Sequence, residues 1–216
     1  MRNALRRIWP DSSSPRDLRL ELIGGGKPLV SIASFSYINS AILYCWKDSP
    51  SLVICEYCSI AEDVSIILGG DHDLDWVSTY PFIERWGLTS LKTKATREVR
   101  GDIIIGSDVW IGHGVAVLSG TTIGVGEVIG AGVVVRGHIP PYSIAAGVLS
   151  KFLKRRFDDE ICMALEESQW WLLPKEAIKE LVAYMDNPFE CQSRLQQSAI
   201  NETSHYYNDN KSQCWR

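Results

Sequence analysis

IGSDVWIGHGVAVLSGTTIGVGEVIGAGVVV, residues 105–135, repeats itself every six residues. Ile105, Ile111, Val117, Ile123, Ile129 and Val135 are all aliphatic, and Gly106, Gly112, Gly124 and Gly130 follow four of them. A helix would set residues six apart on nearly opposite faces, and a strand would alternate every second residue. A short internal repeat instead predicts a solenoid, in which each unit buries its apolar residue by stacking on its neighbours. Glycine after the aliphatic suits a corner, because glycine takes positive φ without a steric cost. The predicted fold class is an all-β solenoid, a parallel β-helix.

The rhythm extends towards the N-terminus. Ile32, Ile38 and Tyr44 keep the six-residue step, as do Ile54, Ile60 and Ile66. It breaks at residues 45–53, where Trp46, Asp48, Ser49 and Pro50 give turn chemistry. It breaks again over residues 69–101, a stretch long enough to be a functional loop protruding from the stack. Coils are therefore expected over residues 28–150, with residues 1–27 as an N-terminal segment. After residue 150 the period changes. Ile161 and Leu165 mark a helix over residues 158–169, ended by Trp170–Trp171, with Asp158, Asp159 and Glu160 at its start. Pro174 opens a second helix with Ile178, Leu181, Val182 and Met185 at helical spacing. Helices are expected over 151–195, and a polar tail over 196–216 is expected to fray.

Composition bounds the function. The apolar fraction is 45% and the net charge −4, which supports a packed core and argues against a nucleic-acid surface. Residues 1–20 hold five arginines and no apolar core of a secretory signal, and no apolar run reaches membrane-spanning length. A cytoplasmic enzyme without stable membrane insertion is expected. Cys55 and Cys58 form a C-x-x-C, but no second pair exists and the two lie inside the six-residue rhythm. Cys58 falls where the repeat takes small inward side chains such as Val109, Val115 and Val133, so a buried thiol is expected rather than a redox or zinc site.

Four histidines occur. His205 lies in the polar tail, His138 precedes a turn at Pro140–Pro141, and His113 falls on the outside of a coil. His72 stands in Gly69–Gly70–Asp71–His72–Asp73–Leu74–Asp75, where the long loop departs. A ring there could reach outwards from a rigid scaffold, or be a turn histidine satisfied by a neighbouring aspartate; local sequence leaves both open. A flanking carboxylate could also fix its tautomer. The three aspartates are not a calcium loop, because Trp76 stands where glycine is needed and Phe82 where glutamate is needed. No metal is expected.

The stretch Gly69–Phe82 resembles the loop departure of the hexapeptide acetyltransferases of the xenobiotic branch, which include chloramphenicol and streptogramin A acetyltransferases and polysaccharide O-acetyltransferases. Ile105–Gly112, Ile129–Val135, Ile139–Ile144 and Gly147–Phe157 are similar to further segments of that family, so the likeness spans residues 30–185. It implies a left-handed hand for the helix, a homotrimer with sites between subunits, and acetyl-CoA as donor. It implies His72 as the general base. It places Trp110, Ala131, Arg136, Ala146, Lys151, Lys154 and Arg155 at the coenzyme, and Tyr37, Asp71, Tyr80 and Trp110 at the acceptor. The basic run is completed by Arg156. Hydroxyl acetylation of a saccharide is the expected reaction, with antibiotic acetylation as the alternative and a non-catalytic trimeric scaffold as a third reading. Asp71 replaces the family's usual asparagine, Gly147–Val148–Leu149 replaces a common Gly-Asn-Pro, Cys55 stands for a glycine, and Glu127 fills an inward slot.

Overall fold

The computed structural model describes residues 18–46, 50–88, 100–147 and 151–201. Its short strands pair in three parallel ladders. The first joins Leu29–Ile32, Ser51–Ile54, Ile103–Ile105, Thr122–Ile123 and His138–Ile139. The second starts from the first residues of Tyr37–Cys45 and continues through Ser59–Ile60, Trp110–Ile111, Val128–Ile129 and Ser143–Ala146. The third takes the rest of Tyr37–Cys45 and adds Val64–Leu68, Ala116–Leu118 and Val134–Val135. The long strand Tyr37–Cys45 thus belongs to two ladders and joins them into one sheet.

The register explains why insertions are tolerated. Ile111 pairs with Ile129, eighteen residues on, which is three six-residue ranks. Ile60 pairs with Ile111, fifty-one residues on. The excess of thirty-three over eighteen equals the length of the 69–101 break, so the pairing resumes in register after it. All six aliphatic ranks from Ile105 to Val135 are buried, as are Ile54, Ile60 and Ile66. Each contributes about 1.5–3 kcal/mol by leaving water.

Two details differ from the repeat as read. Tyr44 does not fill an inward slot. Leu43 pairs with Ile66 and is fully buried, while Tyr44 pairs with Ile67, faces outwards and stacks on Trp46. The rhythm slips by one residue after Ile38, and a one-residue slip reverses which face a side chain takes. The glycines after the aliphatics are not the positive-φ corners either. A Cβ on Gly106, Gly112 or Gly124 would lie 2.9, 2.8 or 2.7 Å from backbone of the next turn, so these glycines allow close stacking. The left-handed residues come three places after the inward aliphatic: Phe35, Tyr57, Asp63, Asp108 and Tyr142, with Gly69, Gly114, Gly120, Gly126 and Gly132 at the equivalent places.

Further elements close the stack. Leu18–Ile23, inside the expected N-terminal segment, pairs parallel with Tyr37–Cys45 and packs Leu18, Leu20 and Leu22 on the core. Lys151–Arg155, expected among helices, is instead a strand antiparallel to Ser143–Ala146. Helix Asp159–Ser168 buries Ile161, Cys162 and Leu165. Helix Lys175–Leu181 buries Ile178 and Leu181, but a tighter turn over Val182–Tyr184 leaves Val182 and Met185 exposed. Helix Pro188–Asn201 runs through the boundary at residue 195, with Cys191 and Leu195 buried. These helices dock on one corner through Val125, Tyr142, Trp171 and the half-buried Tyr57. Arg156 pins them there. Its guanidinium donates to the Asp108 carboxylate at 3.2 Å and to the Gly126 carbonyl at 2.6 Å. Burial raises the Asp108 carboxyl above its usual range, and Arg156 draws it partly back.

Two polar groups occupy inward slots. Cys58 is buried and donates to the Gly106 carbonyl at 3.0 Å; burial pushes its thiol up to about 12, so it is an unreactive core residue. Glu127 is 0% exposed. Its Oε1 accepts from the Gly124 N–H at 3.1 Å and its Oε2 has no partner. Burial pushes this carboxyl up to about 9 from 4.5. The folded state therefore holds a proton that the unfolded chain releases above pH 4.5. The stability is fully present below that value and is lost as pH rises through 9. Between pH 4.5 and neutrality the loss is on the order of 3 kcal/mol, at about 1.4 kcal/mol per pH unit. Glu127→Val copies Val109, one turn earlier in the same column. The Gly124 N–H stays partnered, because it also donates to Ile139 at 3.1 Å. The variant is expected to be the more stable protein at pH 8 and to show a flatter stability–pH curve between pH 5 and 9. Denaturant midpoints across that range check it, and an unchanged slope contradicts the buried-acid reading.

Candidate active site

His72 follows the third ladder. Val64–Leu68 ends there, and Gly69 and Gly70, at φ 105° and 96°, turn the chain outwards. A side chain on Gly70 would strike the Trp46 ring, which lies against it at 2.6 Å from the would-be Cβ. Beyond this turn the His72 ring is exposed, and its Nδ1 lies 2.5 Å from the Thr79 carbonyl oxygen. A carbonyl only accepts, so Nδ1 carries the proton and Nε2 of the neutral ring keeps a free lone pair. No aspartate does this work. Asp73 instead accepts from the Asp75 N–H at 3.1 Å, and Asp71 pairs with Arg100 at 3.1 Å.

The described part of the loop has its own packing. Tyr80 and Phe82 approach at 4.7 Å, as do Phe82 and Trp86 on the short helix Phe82–Trp86. Leu74, Val77, Tyr80 and Trp86 remain exposed. Where the loop returns, the Gly120 N–H donates to the Gly101 carbonyl at 3.1 Å, and a Cβ on Gly120 would lie 2.9 Å from the Arg100 oxygen. Arg100 is thereby fixed beside the loop's departure. A groove forms between Ile67, Leu118, Ser119, Asp71, Arg100 and Arg136. Sequence reasoning missed Arg100 and Thr79. Neither a backbone carbonyl nor a partner 29 residues away leaves a local signal.

The other expected site residues fall elsewhere on the chain. Tyr37 and Trp110 lie on the second ladder with Ser59 between them. Trp110 is 56% exposed, so it is no structural core tryptophan. Ala131 follows the second-ladder strand Val128–Ile129, and Ala146 ends the strand Ser143–Ala146: a Cβ on Gly112 would meet Ala131, and one on Gly130 would meet Ala146. Lys151 and Lys154 belong to the antiparallel edge strand, Lys154 exposed. Arg155 is tied to Asp159 at 2.8 Å and Arg156 is taken up by Asp108. His113 faces Asp63 at 3.8 Å, both exposed. Val148, Leu149 and His205 lie outside the described residues. Among the described residues no cluster of His, Cys, Asp or Glu is arranged to hold a metal ion, and no helix is long and apolar enough to cross a membrane.

A chloramphenicol acetyltransferase from Escherichia coli is 36% identical over 151 residues, 68% of this chain and 70% of that protein. This chain belongs to the chloramphenicol–streptogramin branch of the hexapeptide-repeat acetyltransferases. It is an acyltransferase. Virginiamycin A acetyltransferase from Staphylococcus aureus is 39% identical over 173 residues, 73% of this chain and 77% of that protein. A solved structure of a variant of AntD, an N-acyltransferase from Bacillus cereus, matches with a TM-score of 0.51 at 20% identity, over 70% of this chain and 76% of that one, a likeness of fold. No family model matches the chain. The loop from Gly69 carries this chain's histidine, and the residue before it, Asp71, pairs with Arg100.

Proposed function

We propose that this acyltransferase transfers acetyl from acetyl-CoA to a hydroxyl of a saccharide, with His72 as general base. The observation that carries the reading is the His72 ring itself, exposed, tethered at Nδ1 by the Thr79 carbonyl and free at Nε2. Nε2 takes the proton of the acceptor hydroxyl as its oxygen attacks the thioester carbonyl carbon. When the C–S bond breaks, the protonated ring returns that proton to the departing thiolate. General-base help of this kind is worth about 10²–10⁴-fold. Coil backbone N–H groups stabilise the oxyanion. The transfer needs no covalent enzyme intermediate, and holding both substrates in place supplies much of the remaining rate gain.

We infer that the three ladders are the faces of a left-handed parallel β-helix, the hand the family resemblance implies and an exception to the usual crossover rule. The enzyme works as a homotrimer. Support comes from the scatter of the expected site over one chain: His72 follows the third ladder, Trp110 begins a strand of the second, and Ala131 and Ala146 lie at or just past the C-terminal ends of two other strands of it. Trp110, Tyr37 and the loop residues Leu74, Val77 and Tyr80 are all exposed in the single chain, as an interface between copies requires. A neighbouring copy would bring the small Ala131 and Ala146, a track for the pantetheine arm, to His72. Lys151 and Lys154 would meet the coenzyme's phosphates at the end of that track.

The antibiotic reading rests on the relatives, which are named for chloramphenicol and virginiamycin A. The saccharide reading rests on the groove that Asp71, next to His72 in the chain, lines with Arg100 and Arg136. A panel of saccharides and chloramphenicol, with CoA release as readout, decides between them. Turnover confined to chloramphenicol, with resistance in a susceptible host, would replace the saccharide assignment. Failure to bind coenzyme A in calorimetry would return the scaffold reading.

A further inference from the structure

The groove lined by Asp71, the residue before His72, carries two guanidinium groups against one carboxylate. Arg100 is held at 3.1 Å from Asp71, and both are well exposed to solvent. Arg136 lines the same groove and has no carboxylate partner among the described residues. Ile67 and Leu118 also line the groove, and Ser119 adds a hydroxyl. Planar guanidinium forks are the side chains best suited to paired anionic oxygens.

We propose that this groove binds an anionic group of the acceptor, so that the enzyme acetylates an acidic saccharide, one bearing a carboxylate or a phosphate. The proposal rests on the assignment of His72 above. Its position argues for the acceptor rather than the donor. Asp71 adjoins His72 in the chain and Arg100 is tied to Asp71, so an anion here lies near the reacting thioester. The phosphates of acetyl-CoA are separated from the thioester by the whole pantetheine arm. This moves Arg136 from the coenzyme to the acceptor.

The test uses the full-length protein and a panel of matched acceptors: uronic-acid and sugar-phosphate oligosaccharides and their neutral counterparts. KM for acceptor and for acetyl-CoA is measured for wild type, Arg100→Gln and Arg136→Gln. The wild type is expected to prefer an acidic member over its neutral counterpart by about tenfold or more in kcat/KM. Each variant is expected to raise the acidic acceptor's KM by about tenfold, with KM for acetyl-CoA within about twofold of wild type. Should Arg100→Gln disturb the loop, Arg136→Gln decides, since it breaks no ion pair among the described residues. Transfer to no acidic member, equal preference within pairs, or a raised KM for acetyl-CoA instead overturns the proposal; the last outcome gives the groove to the donor's phosphates. His72→Ala in the same assay separates the two claims. If that variant turned over normally, the base assignment would fall whatever the groove selects.

Discussion

The His72→Ala enzyme is expected to lose about 10²–10⁴-fold in kcat, with its dissociation constant for acetyl-CoA within about twofold of wild type. The ring is exposed on a loop, and among the described residues its hydrogen-bond partner is the Thr79 carbonyl. Truncation therefore removes the proton acceptor without opening a cavity, and melting should scarcely change. His72→Asn sharpens the result. Its amide can still donate to the Thr79 carbonyl, but it offers no basic nitrogen. A loss as large as that of alanine would mean that proton transfer, not loop order, is what disappears. Near-normal turnover in either variant, measured by thiol release, would remove the general base from the account.

The Gly112→Ala protein is expected to be destabilised by about 3 kcal/mol, while Gly114→Asn, two residues away, changes stability by less than about 1 kcal/mol. The two glycines serve different ends. At Gly112 a Cβ would lie 2.8 Å from the Ala131 nitrogen and 2.9 Å from the Ile129 oxygen. Both are backbone atoms, and Gly112 itself donates to that Ile129 oxygen at 2.8 Å, so relief means spreading two turns of the stack. Gly114 has φ +67° and nothing within 4 Å of its would-be Cβ. Asp63 and Asp108 already hold that left-handed conformation at the equivalent place in other turns, and asparagine tolerates it well. Denaturant midpoints of both variants check the contrast. Equal effects would mean that the post-aliphatic glycines are not spacing residues.

That contrast shows where the sequence could be read and where it could not. The inward ranks from Ile105 to Val135 are legible because burial repeats with the chain's own period, and hydrophobicity reports burial directly. The meaning of the glycines is not, because glycine answers both to positive φ and to lack of space, and only coordinates separate these. Tyr44 was misplaced because a slip of one residue between Ile38 and Leu43 leaves no mark in composition. Leu18–Ile23 and Lys151–Arg155 escaped because each joins the stack at an end, outside the six-residue rhythm. Helix Pro188–Asn201 escaped because its Gln-rich surface masked the buried Cys191 and Leu195. At the proposed site, local sequence leaves His72 open between a turn residue and a base, and the family resemblance supplies the role. The tether of His72 to Thr79 and the Asp71–Arg100 pair were not legible, since both are made by folding the loop back on itself.

The central claim is that one copy's imidazole meets a thioester carried on the coils of another. The most direct measurement is an experimental structure of the assembled protein with coenzyme A bound. The account predicts three chains, with the coenzyme's sulfur within hydrogen-bond reach of His72 Nε2 and its pantetheine arm lying along Ala131 and Ala146 of a neighbouring copy. A thiol seated away from every His72 ring, or a coenzyme bound wholly within one chain, would contradict it.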